Sequence, residues 1–191
     1  KLFRKIVKIF LSKQMFKIGK RNFITFIKRI FQIENYFAIS KFFNIHKKPF
    51  NAIFSEIFSS GRYPRLLHFN SPTGTAKVNL YSANDFSTFN LIFCREDYFY
   101  SQKYKIVLDI GSNIGLSAVY WLTRNDKTIV YCYEPSSKNF TKLKENLKEF
   151  KDRFFIYKNA VSSKNFSSYL NLEESGVYNS LNNEKGLNFY E

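Results

Sequence analysis

Cysteine is nearly absent from this chain. Cys94 and Cys132 stand in unrelated contexts without metal-ligand spacing, which rules out a disulfide-rich scaffold and a thiolate metal site. Histidine is as scarce: His46 and His68 have no Asp, Cys or His neighbours at ligand spacing, and each reads as a structural or surface residue. No uncharged apolar run approaches the roughly 18 residues of a membrane span. Charges interspersed through the N-terminal region are also wrong for a signal peptide. There are no internal repeats, and no Ser-His-Asp order, paired-carboxylate signature or Cys-x-x-Cys supports hydrolase or redox chemistry. Helix-turn-helix, zinc and aromatic RNP patterns are missing too, so charge alone speaks for nucleic acid and none is expected as a partner.

Acid is missing from one end only. Residues 1–48 contain 13 Lys or Arg and a single acid, Glu34, whereas the remainder carries 17 basic and 14 acidic residues. Of the net charge of +15, residues 1–48 therefore carry +12, and the rest of the chain is nearly balanced. What the chain has in abundance is aromatic side chains, 23 Phe and 13 Tyr, which is ample for a buried core and argues against disorder. A length of 191 residues suits one core domain with an extension. We divide it into a basic helical extension (1–63), an accessory hairpin and helix (64–103) and an α/β unit (104–191).

The extension alternates apolar and basic residues at helical spacing. Leu2, Phe3, Ile6, Val7 and Phe10 share one face, Lys1, Arg4, Lys5 and Lys8 the other, and Phe23, Ile24, Ile27, Ile30 and Phe31 repeat the pattern after a break at Gly19. Such a cationic helix over residues 1–33 suits an anionic membrane surface, or else packs on the domain with its basic face in water. Phe50, Ile53, Phe54, Ile57 and Phe58 form a further helical stripe, read as core. Residues 66–69 and 76–81 read as strands around the turn signal Ser71-Pro72-Thr73-Gly74. Residues 86–98 read as a helix.

The organising stretch is residues 105–115. Ile106-Val107-Leu108 is an apolar run of the kind that makes a strand buried on both faces. At Asp109 the run stops, Gly111 and Gly115 follow, and residues 116–122 continue as a nearly all-apolar helix. Strand, glycine turn and helix together present free backbone N–H groups to a ligand. A dinucleotide fingerprint needs glycines at the first, third and sixth positions of the turn; from Gly111 these are Gly111, Asn113 and Leu116, so two are missing. An acid just before the first glycine, Asp109, suits a ligand with an ammonium group and a sulfonium cation. S-adenosylmethionine has both and carries no phosphate.

A second strand, residues 128–133, ends at Glu134-Pro135, nineteen residues beyond Gly115. A carboxylate there is placed to accept both ribose hydroxyls of a nucleoside. Ser136 caps a helix with the apolar stripe Phe140, Leu143, Leu147 and Phe150. A third strand, residues 154–158, ends at Asn159-Ala160, where a polar side chain meets an adenine edge or simply turns the chain. Residues 166–172 suggest one more strand, and the Asn-rich end shows no periodic pattern. Right-handed crossovers put the three parallel strands in spatial order 3-2-1.

Val107-Leu108-Asp109-Ile110-Gly111-Ser112-Asn113-Ile114-Gly115, then Tyr133-Glu134-Pro135 with Asn139, then Asn159-Ala160-Val161-Ser162, resembles the FkbM family of adenosylmethionine-dependent methyltransferases. Phe93-Cys94-Arg95-Glu96-Asp97-Tyr98-Phe99 and Gly176-Val177-Tyr178 also resemble segments of bacterial members in surface-glycan gene clusters. The resemblance runs over residues 64–181. It implies a Rossmann-like class I methyltransferase fold and O-methylation of a carbohydrate or related hydroxyl, in the cytoplasm or peripherally at the inner face of the membrane. In the implied cofactor site Asp109 faces the methionine ammonium, Gly111 and Gly115 form the turn and Asn113 borders it. Glu134 binds ribose, and Asn159 and Ala160 edge the adenine. The family's next core strand and its acidic K-I-D-x-E-G-like motif have no counterpart here, so the resemblance implies the N-terminal half of a domain and names no catalytic base. Two other readings stay open: an NAD-dependent oxidoreductase half-domain, disfavoured by Asn113 and Leu116, and a non-catalytic membrane-surface module.

Overall fold

The computed structural model describes residues 33–57 and 62–163, together with short strand pieces on either side. Helices α1 (Ile33–Ile45) and α2 (Pro49–Ile57) lead into a hairpin of β3 (Arg65–Ser71) and β4 (Gly74–Leu80), then α3 (Ala83–Phe93). The α/β unit follows as β5 (Ile106–Ile110), α4 (Leu116–Leu122), β6 (Ile129–Tyr133), α5 (Ser137–Leu147), a 3-10 segment (Lys148–Arg153) and β7 (Phe154–Tyr157). Strands β5, β6 and β7 form a parallel sheet in that spatial order, with Ile110 level with Tyr133 and Tyr133 level with Tyr157. This is the expected 3-2-1 order in a mixed α/β arrangement, consistent with a Rossmann-like fold.

Local chemistry sets the element ends. Ser82 opens α3, its Oγ accepting the Asp85 N–H at 3.2 Å. The helix stops at Phe93 rather than continuing to residue 98, because Cys94 caps it and Glu96 takes a positive φ of 57°. Ser136 caps α5 as expected, accepting the Asn139 N–H at 3.4 Å. Arg153 fastens the far end of the unit by donating from Nη1 to the carbonyls of Leu122 (3.0 Å) and Asn125 (2.9 Å).

One hydrophobic core joins the hairpin, α3 and the sheet: Phe69, Val78 and Leu80 meet Phe89, Phe93, Val119, Leu122, Val130, Leu143 and Leu147. At its centre Phe89 and Phe93 stack with ring centroids 4.3 Å apart, and Phe69 meets both edge-on. His46 is buried against Phe42, Phe86 and Phe89, with Nε2 donating to Asn90 Oδ1 at 2.8 Å. Burial holds its pKa below the ordinary histidine value, so it is a neutral core residue, as its isolation in the sequence implied. His68 is exposed, and Cys132 is a fully buried small core residue.

Three expectations need correction. First, β5 is not buried on both faces: Ile106, Leu108 and Ile110 are 61–63% exposed. Successive right-handed crossovers stepping the same way across a sheet put their helices on the same side, so α4 and α5 both cover the face of Val107, Val130 and Cys132. Second, the stripe of α2 is not core, because Phe50 and Phe54 point into solvent. Third, α3 ends at Phe93 rather than at residue 98. Within residues 1–33, two strand pieces, β1 (Lys17–Ile18) and β2 (Arg21–Asn22), pair antiparallel on either side of the break expected at Gly19. The remainder of that segment up to residue 32 lies outside the described residues, as does the expected helix end at residues 58–61. Near the C-terminus, β8 (Tyr169–Asn171) pairs antiparallel with both β9 (Ser180–Asn182) and β10 (Leu187–Asn188). The last two fall in the stretch without a periodic pattern.

Candidate cofactor site

The carboxyl ends of β5, β6 and β7 lie in register, and they bring every residue singled out in the sequence to one edge of the sheet. Asp109 and the Gly111–Gly115 turn leave β5, Glu134 leaves β6, and Asn159 and Ala160 leave β7. This is the edge at which open α/β sheets bind ligands.

The turn is built from left-handed backbone. Gly111 (φ +82°), Asn113 (φ +50°) and Gly115 (φ +89°) share this conformation, which glycine adopts readily and asparagine tolerates. At Gly115 space is also tight: a Cβ there would lie 2.7 Å from Cδ1 of the buried Leu143, which would have to shift.

The backbone amides of the turn are not free, contrary to expectation. The N–H groups of Gly111 and Ser112 donate to the Tyr133 carbonyl (2.9 and 3.1 Å), and that of Gly115 donates to the Ser112 carbonyl (2.7 Å). The Asn113 N–H donates to Glu134 Oε2 at 2.8 Å. Four donors that a pyrophosphate would need are thus spent, three on holding the turn to the end of β6 and one within the turn itself.

Glu134 is the knot of this arrangement. Its other oxygen, Oε1, accepts the Ser136 N–H at 2.9 Å, so one carboxylate fixes both the glycine turn and the start of α5. Only 5% of the residue is exposed. The Asn139 side chain hydrogen-bonds the same carboxylate, which is left with acceptor capacity for one further hydroxyl donor. Asp109 lies on the helix-covered side of β5, where Oδ2 accepts from Ser117 Oγ at 2.7 Å and its carbonyl accepts from Ser112 Oγ at 2.7 Å.

Electrostatics unites the two acids. Burial pushes the carboxyls of both Asp109 and Glu134 above the ordinary range, against the downward pull of their hydrogen bonds, and the charge of Asp109 raises Glu134 further. Among the described residues, no basic side chain is one of the groups acting on either acid. Asn159 and Ala160 are exposed at the end of β7, beside the half-exposed Val161.

Two contributors escaped the sequence reading. Ser117 is the one polar residue in α4, and that isolation was its signal: it is buried because it holds Asp109. Asn146 gave no such signal among the charged residues of α5. Buried, it donates from Nδ2 to the carbonyls of Ile114 (2.8 Å) and Asn79 (3.1 Å) and accepts the Asn79 N–H at 2.8 Å, tying the glycine turn to the hairpin. Among the described residues no cluster of His, Cys, Asp and Glu is disposed to hold a metal. Nor is any described helix long and apolar enough to cross a membrane.

No family model matches the chain, and no curated protein does. Among solved structures, one described as a "putative transferase" from Pyrococcus horikoshii matches with a TM-score of 0.33 and 13% identity, over 59% of this chain and 49% of that one. The chain spans about half the length of that protein. A likeness this distant carries no argument about function.

Proposed function

We propose that this chain is the cofactor-binding part of an S-adenosylmethionine-dependent O-methyltransferase. The observation that carries this reading is the pair of carboxylates, the partly buried Asp109 and the buried Glu134, at the ligand edge of the sheet with no basic partner among the described residues. Such a pair asks for positive charge and hydroxyl donors, which the ammonium, sulfonium and ribose of adenosylmethionine bring. The spent amides of the turn weigh against NAD, whose pyrophosphate needs them.

In this reading Asp109 takes the ammonium, held in place by Ser117. Gly111, Asn113 and Gly115 shape the floor on which the methionine part lies, and Glu134, oriented by Asn139, accepts from the ribose on its remaining acceptor position. Asn159 and Ala160 border the adenine. The cofactor supplies a methyl group already activated by its sulfonium, so the chain's own task is binding and in-line orientation. The acceptor, a hydroxyl of a carbohydrate or glycan precursor, comes from the FkbM-like motif pattern.

Calorimetry with adenosylhomocysteine, which keeps the ammonium and ribose, tests the site. Asp109→Asn preserves the Ser117 hydrogen bond and removes the charge, so it should weaken binding by about 1.5–3 kcal/mol, the range for hydrogen bonds to charged groups. Tight NADH binding without an adenosylhomocysteine signal would overturn the reading.

A further inference from the structure

The phenylalanines of α1 and α2 present an apolar strip to solvent. Ile39 and Phe43 lie four residues apart on α1, and Phe50 and Phe54 four apart on α2, so each pair shares a helix face. The four are 53%, 41%, 71% and 65% exposed. Across the turn between the helices the rings of Phe43 and Phe50 meet edge-on at 5.6 Å, which joins the two pairs into one surface. Lys47 and Lys48 sit exposed in that same turn. Lys41 is engaged elsewhere, in an ion pair with Glu96.

We infer that this strip docks the protein onto an anionic membrane surface. Solvent-exposed aromatic rings at i, i+4 spacing flanked by lysines have the composition of an interfacial helix, in which rings enter the acyl boundary and ammonium groups meet the headgroups. Charge complementarity selects the lipid: residues 1–48, which end at Lys48 in the middle of the strip, hold 13 basic residues and one acid. A chain segment of that sign is attracted to anionic headgroups through its basic residues near the membrane. A second copy of the chain, equally basic there, would be repelled. The inference is independent of the cofactor assignment, and it adds the α1–α2 face to the amphipathic segment 1–33 considered from the sequence.

Flotation of the full chain with vesicles of phosphatidylcholine mixed with phosphatidylserine, against phosphatidylcholine alone, reads the effect. We expect binding to the mixed vesicles only. It should fall at least about a hundredfold in the double variant Phe50→Ser/Phe54→Ser, as losing two inserted aromatic side chains requires. Each of Lys47→Gln and Lys48→Gln should reduce it about fivefold and flatten its salt dependence. Phe50→Trp provides a reading that does not depend on weakened binding: its emission should shift to the blue on mixed vesicles and be quenched by brominated lipid, unlike that of the native Trp121 alone. Unchanged flotation of the double variant overturns the inference and leaves binding to residues 1–33. Absence of quenching overturns it as well. So does a concentration-dependent dimer, seen in sedimentation, that the double variant abolishes while vesicle binding persists.

Discussion

On one side of the β5–β7 sheet Val130 and Cys132 are fully buried beneath α4 and α5, and on the other Ile106, Leu108 and Ile110 keep more than half of their surface in solvent. The bare side is nonetheless ordered by its own side chains. Tyr131 stacks on Phe155 and Tyr133 on Tyr157, each pair with centroids 5.0 Å apart across neighbouring strands. The two sides draw on similar residue types, so hydrophobicity does not distinguish them. What does is the direction in which the chain steps between strands. Two same-sense crossovers commit both helices to one face, and the site residue Asp109 goes with them into the covered layer.

The largest effect should come from the covered side. Leu143 is fully buried, and its Cδ1 fills the space beside Gly115. Leu143→Ala should cost about 2–5 kcal/mol in a denaturant titration, the range for emptying a leucine site. A loss below about 1 kcal/mol would show that α5 is not a fixed cover.

Next comes Asp109, which the covered layer holds at an electrostatic cost. Its carboxyl is pushed above the ordinary value by burial, so the folded state binds its proton more tightly than the unfolded state does. The stability associated with that proton is complete below the unfolded pKa and is lost as pH rises through the raised folded one. Asp109→Asn removes this loss. The variant should match the wild type in acid and exceed it by about 0.5–2 kcal/mol near neutral pH, the range of a typical stabilising substitution. Equal stability at both pH values would place Asp109 in a well-solvated setting. The comparison is sharpest because the same variant is expected to bind the cofactor product less well.

The smallest effect on stability belongs to the bare side. Leu108→Lys should lie within about 0.5 kcal/mol of the wild type, as for surface substitutions generally. It should also reduce self-association in light scattering, since it breaks an exposed apolar patch on a strand whose outer edge has no partner among the described residues. A loss of several kcal/mol would mean that Leu108 is covered.

Much of this unit was legible in the sequence because its signals are local. Strand β5, the nearly all-apolar helix α4 and the Ser136 cap each follow from a run of a few residues and appear with nearly the expected ends. The row of Asp109, Gly111, Glu134 and Asn159 follows once three parallel strands are in register. The rest depends on partners distant in sequence. A stripe such as Phe50 and Phe54 reads as core because periodicity reports a face and not what covers it. The apolar run of β5 likewise records no asymmetry between its sides. Free amides were expected of the glycine turn because such turns open helices; that Tyr133 and Glu134 would take them could not be read from either stretch alone. Strands β9 and β10, in an Asn-rich stretch, show too little alternation to be seen.

Asn146 bears on how the site comes into being. Its two donated bonds close loops of 32 residues, to Ile114, and 67 residues, to Asn79. Closing loops of this length costs chain entropy that grows slowly with length, and it is recovered only when the distant contacts form together. The glycine turn is therefore not a pre-shaped local loop waiting for the rest of the protein. Its geometry at Ile114 is completed by a helix more than thirty residues downstream, which is itself held by a hairpin upstream of the turn. A short peptide spanning the strand, turn and helix contains every residue of the Asp-x-Gly pattern and none of the topology that gives the pattern its shape. Formation of the ligand edge is thus coupled to the closure of the whole core.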